Sequence, residues 1–283
     1  MEPAADRPPS SVRQFYDGLA ADYDLMYADW EASVERQAAA LSTLIGSVLP
    51  DGASLSYDVL DCACGIGTQS LGLAALGHRV TGSDLSPVAA ARAVREAGAR
   101  ELRLPAAAAD MRALPFRDGS FDVVVCADNA LPHLLTPRAV LAALREMYRV
   151  LRPGGVLLLS TRPYDRLRRE RPTSTPPQVK EGAGGRVVTF QLWHWQPDGE
   201  RYDLEHFQLL PGAQAEQDGA DWRVRTRRTS YWALTQAQIV EFTARAGLRE
   251  PVWHEPDESG FFQPVLVARR PGTVAKVTAH DHL

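Results

Sequence analysis

The chain has 283 residues, 45% of them hydrophobic, a formal net charge of −4 and a pI near 6.0. That size and composition suit one well-cored domain with an insertion. The acidic balance speaks against a basic nucleic-acid grip, no apolar run nears the roughly 20 residues of a membrane span, and three cysteines are too few for a disulfide framework. The opening MEPAADRPPS lacks the apolar stretch of a signal peptide, so the expected location is cytoplasmic.

In chain order, residues 1–50 read as a Pro-rich tail and a helical cap, with helices over 12–25 and 28–46. Trp30, Val34, Ala38, Leu41 and Ile45 share one face of the second helix and Arg36 points away from it. Pro50-Asp51-Gly52 ends it with turn chemistry. Residues 51–165 then alternate: strands at 57–63, 79–83, 103–108, 121–126 and 156–160, helices at 69–76, 87–97 and 137–150. Ser86 is the N-cap and Pro87 the first position of the 87–97 helix, with Gly98 closing it. Pro153-Gly154-Gly155 turns the chain into the fifth strand. Such alternation predicts an α/β fold, a parallel sheet with helices on both faces. Its ligand crevice lies at the carboxyl ends of the strands.

The pattern changes over 166–234. Residues 166–185 read as a loop or lid, and 186–195, 201–210 and 222–232 as longer strands of an antiparallel insertion. Pro197-Asp198-Gly199 marks a hairpin turn, and the basic run 162–171 reads as a solvated helix face. Residues 235–270 return to the core through a helix at 236–246, stopped by Gly247, and strands at 248–255 and 261–269. Residues 271–283 read as a tail.

The first strand runs into DCACGIGT, residues 61–68. Gly65 and Gly67 let the backbone turn tightly and approach a ligand, and the helix beyond offers free N–H groups. Asp84, at the end of the second strand, is placed to accept from both hydroxyls of a ribose, beside Leu85. Asp110 is placed to accept from an adenine amino group while Met111 packs on the ring. Turn capping is the plainer role for both carboxylates. Two cofactors suit this geometry. Nicotinamide dinucleotides usually bring a third glycine, here Ser70, and a pyrophosphate that Asp61 would repel. S-adenosylmethionine (SAM) carries an ammonium and a positive sulfur, which an acidic strand end suits. Cys62 and Cys64 stand too close together for a zinc pair, so they read as packing residues and no metal is expected.

The series DCACGIGT, SDLS, ADM, FDVVV and LRPGG resembles the class I SAM-dependent methyltransferases, well over 55–162 and loosely over 235–270. The resemblance implies a Rossmann-like sheet whose last strand, 261–269, is antiparallel. It also places Ala63 and Ala127 against SAM. The loop Asp128-Asn129-Ala130-Leu131-Pro132-His133 and the stretch Arg162-Pro163-Tyr164-Asp165 resemble the glycine and glycine/sarcosine N-methyltransferases. There the Asn and Arg hold the substrate carboxylate, a task that suits the planar fork of Arg. That family has Gly and Ser where Asp128 and Ala130 stand, and an acid at 128 repels a carboxylate or binds an amine.

The same resemblance lays an N-terminal helix over SAM, with Tyr23 over the site (Tyr16 and Tyr27 lie nearby) and Arg36 on the methionine carboxylate. Plainer roles stand beside each assignment. Asn129 fixes its loop, Arg162 pairs with Asp165 or Asp128 at the surface, His133 caps the following helix where it would otherwise, like Asp128, be the base for a hydroxyl acceptor, and Arg36 is solvated. Trp193, Trp195, Tyr202, Phe207, Tyr231 and Trp232 are core residues or the wall of a large acceptor pocket. The expectation is a methyltransferase of a small amine, with O- or C-methylation of a specialised metabolite and non-catalytic SAM binding as alternatives. A small-molecule acceptor is the expected partner, nucleic acid and membrane are not, and a homo-oligomer stays open.

Overall fold

The computed structural model describes residues 11–49, 56–182, 185–212 and 222–272. The turn at Pro50-Asp51-Gly52 lies outside these residues, as do residues 1–10 and 273–283 of the two tails. Two sheets form, and the larger has seven strands: β1 (Asp58–Asp61), β2 (Arg79–Asp84), β3 (Ala106–Ala108), β4 (Phe121–Cys126), β5 (Leu151–Ser160), β10 (Arg249–His254) and β11 (Val265–Arg269). Their order is β10-β11-β5-β4-β1-β2-β3. The first five are parallel to one another, and β11 runs antiparallel to both β5 and β10. This is the Rossmann-like sheet with an antiparallel last strand that the motifs imply.

Strand periodicity divides its side chains between two cores. Val59, Val123, Val125 and Leu158 face α2 (Trp30–Val48), α3 (Thr68–Ala75) and α4 (Pro87–Ala99). Leu60, Val124, Leu157 and Leu159 face α5 (Pro137–Val150) and α7 (Gln236–Ala246). At Gly72 a β-carbon would meet the Val34 carbonyl at 2.6 Å, so α2 rests directly on the backbone of α3. The caps fall where the sequence puts them. Ser86 accepts from the backbone N–H of Ala89, and Gly247 closes α7 in the left-handed region.

The second sheet is the antiparallel insertion, in the order β6 (Gln178–Gly182), β7 (Gly185–Trp195), β8 (Arg201–Pro211), β9 (Trp222–Trp232). Its inner face packs on α1 (Val12–Leu19).

Several expectations need correction. The 12–25 helix stops at Leu19, and a 3-10 turn covers Tyr23–Met26. Arg92 donates to the carbonyls of Ala20 (2.7 Å) and Ala21 (3.1 Å), which takes the acceptors a continuing helix would need. The loop expected over 166–185 contains β6 and most of α6 (Tyr164–Glu170), which buries Tyr164 and Leu167 against the insertion. α4 passes through Gly98 to Ala99, and the last strand starts at Val265, after a short α8 (Pro256–Ser259). Among the described residues no helix is long and apolar enough to cross a membrane.

Candidate active site

Two cavities open where the carboxyl ends of the strands meet α1 and the second sheet. The first, of about 410 Å³, is walled by the loops after β1, β2, β3 and β4. Ala63, Gly65, Asp84, Leu85, Asp110, Met111 and Ala127 all line it. Gly65 has φ +51°, and nothing lies within 4 Å of where its β-carbon would project, so only a glycine keeps this part of the wall open. Gly67, at φ +101°, is the N-cap of α3 and does not line the cavity.

The carboxylates here have partners of their own. Asp84 accepts from the backbone N–H of Gly65 and of Ser86, each at 2.8 Å. Burial raises its pKa all the same. Asp110 is paired with Arg112 at 2.5 Å, which keeps its carboxyl below the usual range. Asp61 is fully buried behind the wall, bonded to Ser70 Oγ at 2.6 Å, and burial pushes its pKa up to about 7. The negative charge that the sequence assigns to the strand end is therefore only partly developed at neutral pH. Cys62 and Cys64 are buried free thiols that also line this cavity, and among the described residues no cluster of possible metal ligands occurs.

The second cavity, of about 460 Å³, lies between the first sheet, the N-terminal segment and β8–β9. Tyr16, Tyr23, Tyr27 and Asp128 line both cavities and form the partition between them. Asp128 and Asn129 hold left-handed backbone angles, φ +51° and +66°, which turn the loop after β4 into the partition. Tyr27 Oη donates to Asp128 Oδ2 at 3.1 Å and Tyr23 Oη at 3.4 Å, while Gln263 Nε2 donates to Oδ1 at 3.3 Å. Burial raises the Asp128 pKa, and burial beside Asp128 lifts the phenols of Tyr23 and Tyr27 well above their ordinary value. Those phenols therefore remain donors.

Asn129 and Arg162 meet on the far side of this partition. Asn129 Oδ1 accepts the backbone N–H of Arg162 at 3.2 Å, and its buried Nδ2 has no partner. The Arg162 guanidinium donates to Tyr202 Oη at 2.8 Å and lies 4.7 Å from the Trp193 ring centroid and 5.2 Å from that of Tyr231. Among the described residues it makes no ion pair with a carboxylate. Asp165 instead accepts from the backbone of Gln236, and Asp128 feels Arg162 only through space. The surface pairing of Arg162 and the solvated basic face are thus overturned at this residue, although Arg166 and Arg169 of the same run are exposed.

His133 does not cap α5; Thr136 does. Its Nε2 lies 2.7 Å from Tyr16 Oη and its Nδ1 3.3 Å from Thr229 Oγ1, and burial lowers its pKa to about 3, so the ring is neutral. Arg36 is exposed and lines the second cavity, not the first, bonded to Ser33 Oγ at 3.1 Å. Of the insertion aromatics only Tyr231 reaches a cavity wall. Trp193, Trp195 and Tyr202 stack within their own core cluster, Phe207 stacks on Phe190, and Trp232 joins the α5–α7 core. Sequence reasoning missed Gln191 and Gln263, which line the second cavity and bond Arg162 and Asp128. No local pattern marks either glutamine.

A sheet of this order, with a glycine loop and acidic ends on successive strands, is the fold of the class I SAM-dependent methyltransferases. Residues 59–155 match the family described as Methyltransferase domain. The glycine/sarcosine N-methyltransferase of Parasynechococcus marenigrum is 44% identical over 111 residues, 38% of this chain and 39% of that protein. The chain spans less than two thirds of the length of this and the other first curated relatives it matches. DesVI of Streptomyces venezuelae superposes with a TM-score of 0.70 at 21% identity, over 90% of this chain and 98% of DesVI. SAM-bound CalS10, an amino pentose methyltransferase from Micromonospora echinaspora, superposes at 0.66 with 25% identity, over 88% and 95%.

Proposed function

We propose that the chain transfers a methyl group from SAM to the amine of a small, amino-acid-like acceptor such as glycine or sarcosine. The observation that carries this reading is the chemistry of the second cavity. A half-buried cation with no acidic partner among the described residues, Arg162, and an orphaned donor, Asn129 Nδ2, stand beside a carboxylate, Asp128, on the wall shared with the first cavity. A half-buried, unpaired Arg and an unsatisfied N–H are both costly unless a ligand answers them. A zwitterion answers all three groups: its carboxylate meets Arg162 and Asn129, and its ammonium meets Asp128.

The first cavity fits SAM by its donors and acceptors. Asp84 and Leu85 suit the ribose, Asp110 and Met111 the adenine, and Ala63, Gly65 and Ala127 the sulfonium end. Asp61 and Gly67 brace the loop from behind. Arg36 lines the second cavity, so it would meet the methionine carboxylate only where that end of SAM passes the tyrosine partition. SAM supplies an electrophilic methyl on a positive sulfur.

This chain's residues do the rest. Arg162 and Asn129 orient the acceptor, and Asp128 holds the proton that the ammonium must shed before its lone pair is usable. Tyr16, Tyr23 and Tyr27 close the partition against water. Such alignment supplies roughly 7–11 kcal/mol of barrier reduction. His133, neutral and bonded to Tyr16, positions that ring. The insertion, 166–234, serves as the acceptor lid.

A second reading, an amino-sugar acceptor, is favoured by one observation: the likeness to CalS10 covers 88% of the chain, and so reaches into the insertion. Methyl-labelled SAM incubated with amino acids, simple amines, amino sugars and phenols tests both. Labelled glycine, sarcosine or another amino acid supports the first reading, and label on amino sugars alone supports the second. Label on phenols alone, or SAM binding without any transfer, defeats both.

A further inference from the structure

The polar lining of the second cavity is largely spoken for within the protein. Gln263 is bonded at both ends, its Oε1 accepting from Ser160 Oγ at 3.0 Å and its Nε2 donating to Asp128. Gln191 Oε1 accepts from Arg162 and from Trp193 Nε1. Gln37 Oε1 accepts from Gln69 at 2.7 Å. Beside the Arg36 corner, Gln178 and the Arg162–Asn129 pair, the wall carries a set of apolar side chains. Phe15, Leu19 and Leu204 are buried and form its depth; Met26 is half-buried, and Phe262, 51% exposed, stands at its mouth.

These side chains come from elements that a carboxylate site alone does not need. Leu204 projects from the inner face of β8, beside Thr229 of β9 and Trp193 of β7 in register. Phe15 and Leu19 are the buried residues of α1. Met26 adds an unbranched thioether, which adapts its shape to an irregular apolar neighbour. The volume, about 460 Å³, lies in the range of clefts that bury drug-sized ligands. Glycine would leave most of it filled by water against apolar walls, an arrangement water does not favour.

We infer that the acceptor is an α-amino acid with a bulky apolar side chain, its carboxylate on Arg162 and Asn129 and its side chain beside Met26 and Phe262, over the floor that Leu19 and Leu204 form. The inference rests on the reading of the site as an amino-acid N-methyltransferase and adds the substrate's third substituent. Specificity then comes from two independent groups. The carboxylate is recognised by charge and orphaned donors, and the side chain by apolar surface on α1 and β8. Each added methylene that finds this wall raises efficiency, whereas removing the carboxylate strands Arg162.

The test is a series of kcat/KM values with SAM for glycine, alanine, leucine and phenylalanine, alongside isoamylamine and phenethylamine, which keep the side chain and lack the carboxylate. The expected result is a rise of about 10-fold or more from glycine to leucine or phenylalanine, with both amines poorer than their amino acids. Glycine as the best of a series of accepted amino acids overturns the inference and leaves the amino-acid reading intact. Rejection of all four amino acids, or amines as good as the acids, overturns that reading too. Leu204→Ala supplies an independent check on the wild-type series: the optimum moves from leucine toward phenylalanine, and an unchanged ranking in the folded variant counts against the placement of the side chain.

Discussion

The two cavities share a wall and differ in how their polar groups are treated. In and just behind the first, three carboxylates have been given partners by the chain itself: Asp84 two backbone N–H groups, Asp110 its Arg112, Asp61 its Ser70. In the second, Asn129 Nδ2 is left bare and Arg162 is held by phenols, an amide and rings without a counter-ion. A site that completes its own hydrogen bonds keeps its shape whether or not it is filled. One that leaves charges unanswered gains most from the ligand that answers them, and that gain is what selects the ligand.

The comparison can be broken at three places. The largest effect is expected at Asp61, the partner most deeply enclosed. Its carboxyl titrates near 3.8 in an unfolded chain and at about 7 in the fold. Below pH 3.8 both states are protonated and the fold keeps its full stability. As pH rises the unfolded state ionises first, so stability declines until the pH passes about 7 and then levels off. A gap of this size corresponds to roughly 4 kcal/mol. Urea unfolding of Asp61→Asn between pH 4 and pH 8 should lack this decline; an unchanged slope would place the titration elsewhere.

Arg162→Ala comes next. Efficiency toward an amino-acid acceptor is expected to fall about 100-fold or more, chiefly through KM, because the ligand's carboxylate loses its partner. Calorimetric SAM affinity should stay within about two-fold of wild type; collapse of SAM binding would merge the two sites into one and end the contrast. Asp84→Asn should do the reverse, and by less. One donor of its amide faces an N–H, so SAM affinity is expected to drop about 10- to 100-fold while the acceptor's KM holds. An acceptor KM that rises in step would show that the partition transmits the change.

Legibility in the sequence followed the same division. The first cavity is built from turns at strand ends, and each turn announces itself: glycines at 65 and 67, Asp84 before a Ser-Pro cap, Asp110 before Met111. α5, opened by Pro137, and α7, stopped by Gly247, were readable to the residue for that reason, although the cap of α5 was given to His133 and is Thr136. The second cavity depends on pairs far apart in the chain. Tyr16 meets His133 across 117 positions and Gln263 meets Asp128 across 135, with no local pattern to join them. The Arg162 fork was legible as a carboxylate holder, but its enclosure by Trp193, Tyr202 and Tyr231 was not, since strand alternation gives the face of a residue and not what covers it. Residues 166–185 misled because an Arg- and Pro-rich composition hides a short helix and an edge strand that form only against the insertion.

One short stretch of chain, Tyr16 to Tyr27, supplies three of the four side chains that stand between the cavities. A door common to two rooms cannot be opened for one alone. Any movement of this stretch that releases a spent donor also strips the acceptor's chamber of its tyrosines. On the proposed reading, ligand exchange on the two sides would pass the same stretch of backbone, residues 16 to 27.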